Sequence, residues 1–176
     1  MNNWHVITGA QGAGKSSTIE YLEDSLGCLI IPEAGRTVID EARAAGISTE
    51  SLRKDEYEFQ MTVARKKEAT EATLNPSTLT LLDRGMHDTV AYLDTLGLAT
   101  PKWIDEYCKK QQYKNVFVLE PLESYVNDYA RTEDADFAQR LHIKLLRVYR
   151  RYGMECILVP VDTVEKRASF IKKYLE

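Results

Sequence analysis

The chain has 176 residues, 44% of them hydrophobic and 28% charged, with a formal net charge of -4 at pH 7. That length suits one domain able to bury a core without disulfide or metal staples, and no apolar run approaches the roughly 18 residues of a membrane span. The acidic balance argues against an extended nucleic-acid surface, so the basic run Arg140, Lys144, Arg147, Arg150 and Arg151 reads as a solvated helix face.

Apolar runs at 4–8, 28–31, 78–82, 115–119 and 155–161 are short and nearly unbroken, as parallel strands buried on both faces should be. Helical segments fill the intervals: 16–26 after the first run, 36–45 and 49–74 after the second, 88–96 and 101–112 after the third, then 136–152 and 164–175. This alternation predicts one α/β domain over residues 1–176, a three-layer α/β/α sandwich around a five-stranded, mostly parallel sheet. The N-terminus enters its first strand without the basic start and apolar stretch of a signal peptide, so a cytoplasmic protein is expected. Cys28, Cys108 and Cys156 are odd in number and widely spaced, which favours buried free thiols over disulfides or a zinc site.

Between the first strand and the first helix, Gly9-Ala10-Gln11-Gly12-Ala13-Gly14-Lys15-Ser16 satisfies GxxxxGK[ST] in full. Glycines allow the tight turn that aims backbone N–H groups inward, and the following helix N-terminus favours anions. The nucleotide phosphates are therefore assigned to Gly9, Gln11, Gly12, Ala13, Gly14, Lys15, Ser16 and Ser17, with Lys15 reaching the β/γ-phosphates and Ser16 helping to hold Mg²⁺. The expected cofactor is Mg²⁺ with ATP, GTP being the other candidate.

A carboxylate is needed across such a loop, and Asp83 at the end of the third strand supplies it as a second metal-side group. The competing reading of Asp83 is a cap for the next helix. Arg84 follows where a hydrolytic motor would carry a second acid, which favours phosphoryl transfer to a bound acceptor over hydrolysis. At the end of the second strand, Glu33 is the candidate general base and Arg36 a grip on the acceptor's polar end; a helix-terminal charge pair is the alternative. Gln60 and Phe59 are placed toward the acceptor, although Phe59 reads equally as core. The polar stretch 129–136 predicts a mobile lid, with Arg131 as first choice for closing on the phosphates and Arg140 as second. No histidine is given a catalytic role.

The segments GAQGAGKSS, IPEAGR, FQ, LLDRG with Asp88, the stretch around Arg131 and the final VPVDTVEKRASFI occur in the order seen in a known family. Together they resemble the small AAA-like P-loop NTPases that include the ribosylnicotinamide kinase domains of NAD-biosynthesis proteins, and more distantly deoxynucleoside and thymidylate kinases. The resemblance implies Glu33 as base, Asp83 and Arg84 as the acidic–arginine pair, Arg131 as a phosphate clamp, and the loop at Asp162 as a rest for the nucleotide base. Two departures stand out: Tyr129 precedes Arg131 where those kinases tend to carry a second lid arginine, and Ala34 follows the candidate base. The expected activity is a kinase acting on the hydroxyl of a nucleoside-like or other small metabolite. The alternative is an ATP- or GTP-hydrolysing switch that governs a protein partner.

Overall fold

The computed structural model describes residues 2–122 and 135–175. Five strands, β1 (Trp4–Thr8), β2 (Leu29–Ile31), β3 (Thr80–Asp83), β4 (Asn115–Leu119) and β5 (Cys156–Val159), form one sheet in the order β2-β3-β1-β4-β5, with every pairing parallel. The helices between them are α1 (Lys15–Leu26), α2 (Ala34–Ala44), α3 (Thr49–Leu52), α4 (Glu56–Glu71), α5 (Met86–Leu96), α6 (Lys102–Lys110), α7 (Ala135–Arg151) and α8 (Val164–Lys172). The predicted three-layer α/β sandwich is therefore the observed one.

Successive residues of a strand face opposite sides of a sheet, and the two cores divide accordingly. Val6, Leu82, Val116 and Val118 pack with residues of α5 and α7 in one core; Ile7, Leu81, Phe117 and Leu119 pack with those of α1 and α8 in the other. Each fully buried Leu, Ile or Phe among them contributes roughly 1.5–3 kcal/mol relative to its exposed state. A third, smaller cluster joins α2 to α4 through Ala34, Val38, Ile39, Phe59 and Val63. It stands beyond the strand ends and forms a wall of the site.

One predicted helix is divided. The segment 49–74 breaks after Leu52, because Asp55 leaves the helical conformation and its carboxylate accepts the Glu58 N–H at 3.0 Å, capping α4. All three cysteines are free; Cys108 is buried and the other two are partly so. Among the described residues no helix is long and apolar enough to cross a membrane.

His87 is fully buried among the rings of Tyr113, Tyr149 and Tyr152, with Nε2 donating to the Cys108 carbonyl at 3.1 Å. Burial pushes its pKa down to about 4. Between pH 6.5 and 4 the unfolded chain binds a proton that folded His87 refuses, so this group's contribution to stability is lost as pH falls through that window. It should cost about 2 kcal/mol at pH 5 relative to pH 7. Thermal melts of the wild type and His87→Gln are expected to differ in their pH dependence by about 4–8 °C over that interval. Identical slopes would show that His87 is not the source.

Candidate active site

The strand order reverses at β1, so the turns after β1 and β3 and the end of β4 meet at one sheet edge, where open α/β folds bind ligands. The phosphate loop occupies that crevice. A Cβ on Gly9 would lie 2.9 Å from the Leu119 carbonyl oxygen, so β4 approaches the turn too closely for any side chain. Gly14 takes a left-handed φ of 76° as the N-cap of α1. Lys15 follows, its side chain buried and its Nζ 4.0 Å from both Glu33 Oε2 and Asp83 Oδ1. Ser16 and Ser17 are exposed at the start of α1.

Neither Glu33 nor Asp83 caps a helix with its side chain. Glu33 stands at the N-cap position of α2, but its side chain caps nothing; one oxygen accepts from Arg84 Nε at 3.1 Å and the other faces Lys15. Burial opposes its charge, yet Arg84 and Lys15 together hold its pKa down at about 2, so it stays a carboxylate. Asp83 ends β3, and the next helix is capped through Asp88 instead. Burial, reinforced by the charge of Glu33, raises the Asp83 pKa to about 6 against the pull of Lys15. Its buried Oδ1 has no hydrogen-bond partner among the described residues. A buried acceptor left open beside the exposed Ser16 hydroxyl is a donor set that suits Mg²⁺, a hard cation preferring oxygen.

Arg84 has φ 72°, the only non-glycine residue in the left-handed region among the described residues. Such a conformation costs about 1–3 kcal/mol and persists when its surroundings over-determine it. They do so here. Arg84 Nη1 donates to the Gly9 carbonyl at 3.0 Å and to Asp88 Oδ1 at 3.2 Å. Asp88 also accepts from the Thr8 hydroxyl, from the Gly85 N–H at 3.1 Å and from the Tyr149 hydroxyl at 2.5 Å. The Gly85 carbonyl accepts from buried Lys67 at 2.7 Å, and the Met86 N–H donates to Tyr113, whose hydroxyl donates on to Glu71. Tyr113 also lies close against the turn, since a Cβ on Gly85 would fall 2.7 Å from its ring. Gly85→Ala should therefore cost about 1–3 kcal/mol by overpacking, read as a lower melting temperature; an unchanged melt would mean that the ring yields freely.

In front of Arg84 and Lys15 opens a cleft at the sheet edge. Glu33, Arg36, Phe59, Gln60, Lys67 and Tyr92 are among the residues lining it. Phe59 serves both readings, being part of the α2–α4 cluster and of the cleft wall. Gln60 is buried and faces the cleft, and Arg36 lines it from α2. Arg53, not singled out in the sequence, lines it too, its guanidinium 5.2 Å from the Phe59 ring centre and bonded to Glu56.

Arg131 and residues 129–134 of the predicted lid lie outside the described residues, and its last two, Ala135 and Asp136, are the first turn of α7. Arg140 is an exposed residue of α7. Asp162 is exposed after β5, where its carboxylate accepts the Thr163 N–H at 2.8 Å and pairs with Lys166 at 3.1 Å. Two buried cations escaped the sequence reading, Lys67 and Arg167. Their signal was present: Gln60, Val63, Ala64, Lys67 and Glu71 share one face of α4, and Arg167, Ala168 and Ile171 one face of α8. A charge at core-facing spacing marks a buried polar contact.

A family model described as AAA domain matches residues 4–167. A search of the curated proteins gives no match. Among solved structures, the fold is similar to that of deoxyadenosine kinase from M. mycoides with products dCMP and a flexible dCDP bound, at 16% identity and a TM-score of 0.67, covering 98% of this chain and 97% of that one. Thymidylate kinase from Ehrlichia chaffeensis is similar at 16% identity and a TM-score of 0.68, with 98% and 97% covered. The NadR protein in complex with NR gives 16% identity and a TM-score of 0.65, covering 98% of this chain and 49% of that one.

Proposed function

The chain belongs to the AAA domain family, and from that membership and the cleft we propose a small-molecule kinase that moves the γ-phosphoryl group of Mg²⁺-ATP to an acceptor hydroxyl. The observation that carries this reading is the placement of Glu33: an ionised carboxylate 4.0 Å from the phosphate-loop lysine, fixed by Arg84, on the wall of the cleft. The kinase names of the similar structures support it.

In this reading the phosphate loop and Lys15 hold the triphosphate. Mg²⁺, bound through Ser16 and Asp83, would neutralise phosphate charge. The acceptor lies between Phe59, Gln60 and Arg36, with its hydroxyl toward Glu33. Its oxygen forms a bond to the γ-phosphorus as the bond from that phosphorus to the β,γ-bridging oxygen breaks; ADP keeps the electron pair and Glu33 receives the proton. Arg84 fixes Glu33 and adds positive charge near the transferring group. A nucleoside-like acceptor suits the aromatic wall at Phe59 and the amide of Gln60.

The test is turnover with Mg²⁺ and ATP or GTP, alone and with a panel of nucleosides and ribosylnicotinamide, following diphosphate release and acceptor mass together. A phosphorylated acceptor formed in step with ADP or GDP supports the kinase. Hydrolysis indifferent to every acceptor would replace it with the regulatory NTPase.

A further inference from the structure

Arg167 is 2% exposed on the inward face of α8, and each of its three guanidinium nitrogens donates to a backbone carbonyl. Nε donates to Pro160 O at 3.0 Å, Nη1 to Ala13 O at 2.5 Å and Nη2 to Glu120 O at 3.0 Å. Those oxygens belong to three separate segments: the loop after β5, the phosphate loop and the end of β4. No carboxylate comes within ion-pair distance of this guanidinium among the described residues, although Glu120 and Asp162 act on it from farther off. Three carbonyl dipoles answer a buried charge, at a desolvation cost that an apolar side chain of similar length would avoid. Filling space therefore does not account for an arginine. A rigid planar fork able to fix three acceptors at once does.

The contact with Ala13 has a directional consequence. Across a planar trans peptide the carbonyl and the following N–H point in opposite directions, and no cis peptide is present among the described residues. Drawing the Ala13 carbonyl back onto Arg167 turns the Gly14 N–H the other way. Arg167 also backs onto the turn itself, since a Cβ on Gly14 would lie 3.4 Å from its Nη1. We propose that Arg167 is a positioning residue for nucleotide binding: it presets the Ala13–Gly14 peptide so that the Gly14 N–H faces the phosphates. It acts from behind the loop and touches no ligand. The proposal rests on the reading of the 9–16 loop as the phosphate site.

The experiment compares the wild type with Arg167→Met, which keeps length without donors, and Arg167→Lys, which keeps charge without the fork. Calorimetry with Mg²⁺-ATP and with inorganic tripolyphosphate reads the cradle alone, and thermal melts check folding. Arg167→Met is expected to bind both probes at least tenfold more weakly, and Arg167→Lys to fall between. The Gly14 amide resonance should move in both variants. Tripolyphosphate binding within twofold of wild type in folded Arg167→Met overturns the proposal; should that variant not fold, the same result in Arg167→Lys overturns it. Failure of the wild type to bind either probe would instead remove the phosphate-loop reading beneath it.

Discussion

Lys15→Ala is expected to lower kcat/KM for ATP by about 10³-fold, a loss of about 4 kcal/mol of transition-state stabilisation. The ammonium is buried at the meeting point of the phosphate loop, Glu33 and Asp83, where low dielectric makes each charge count for more than in water. Its removal deletes the cation that would follow the migrating charge, and it also leaves two carboxylates facing each other. Glu33 keeps Arg84 as a hydrogen-bonded partner, whereas Asp83 keeps only the weaker pull of Arg84 against burial and the charge of Glu33, so its pKa should rise further. Steady-state kinetics at saturating Mg²⁺, with a melt to confirm folding, decides the matter. Turnover within tenfold of wild type would place the chemistry elsewhere.

The parts of this site legible in the sequence share a property: each depends on residues close together in the chain. The phosphate loop needs glycines and a lysine at fixed spacing, and Glu33, Asp83 and Arg84 follow strand ends that periodicity locates. β1 and β4 agree with their apolar runs to the residue, whereas β3, equally central and buried, runs 80–83 against an expected 78–82, because its ladder to β1 starts at Thr80 and carries on to Asp83. The edge strands β2 and β5 are shorter than their apolar runs, since Cys28 and Glu155 have no ladder to continue. Roles that required topology were not legible. Arg167 meets Ala13 across 154 positions, Tyr149 meets Asp88 across 61 and Tyr113 meets Glu71 across 42. The sequence marks such residues only as polar groups on apolar faces, without naming their partners. The same topology brings Glu33 and Asp83 to one cation, since Lys15 Nζ stands 4.0 Å from a carboxylate oxygen of each.

Glu33→Gln separates transfer from binding. It is expected to lower kcat by about 10²–10³-fold, within the range of general-base effects, while the Kd for Mg²⁺-ATP stays within about threefold. The amide keeps the size of the carboxylate and an oxygen able to accept from Arg84, and Arg84 retains the Gly9 carbonyl and Asp88, so the left-handed turn should survive. A base whose pKa is about 2 has little affinity for a proton at neutral pH. It can serve phosphoryl transfer because the hydroxyl becomes acidic only as its bond to phosphorus forms in a loose transition state, so the proton moves late. The pH profile follows from the same value. Glu33 is ionised from pH 8 down to pH 4, so kcat should show no acid limb from this residue in that interval. A wild-type acid limb near pH 6 would be that of Asp83, and because the charge of Glu33 helps to raise that pKa the limb should move to lower pH in Glu33→Gln. A kcat unchanged within threefold would move Glu33 from proton acceptor to wall, and the search for the base to the residues around Arg36 and Gln60.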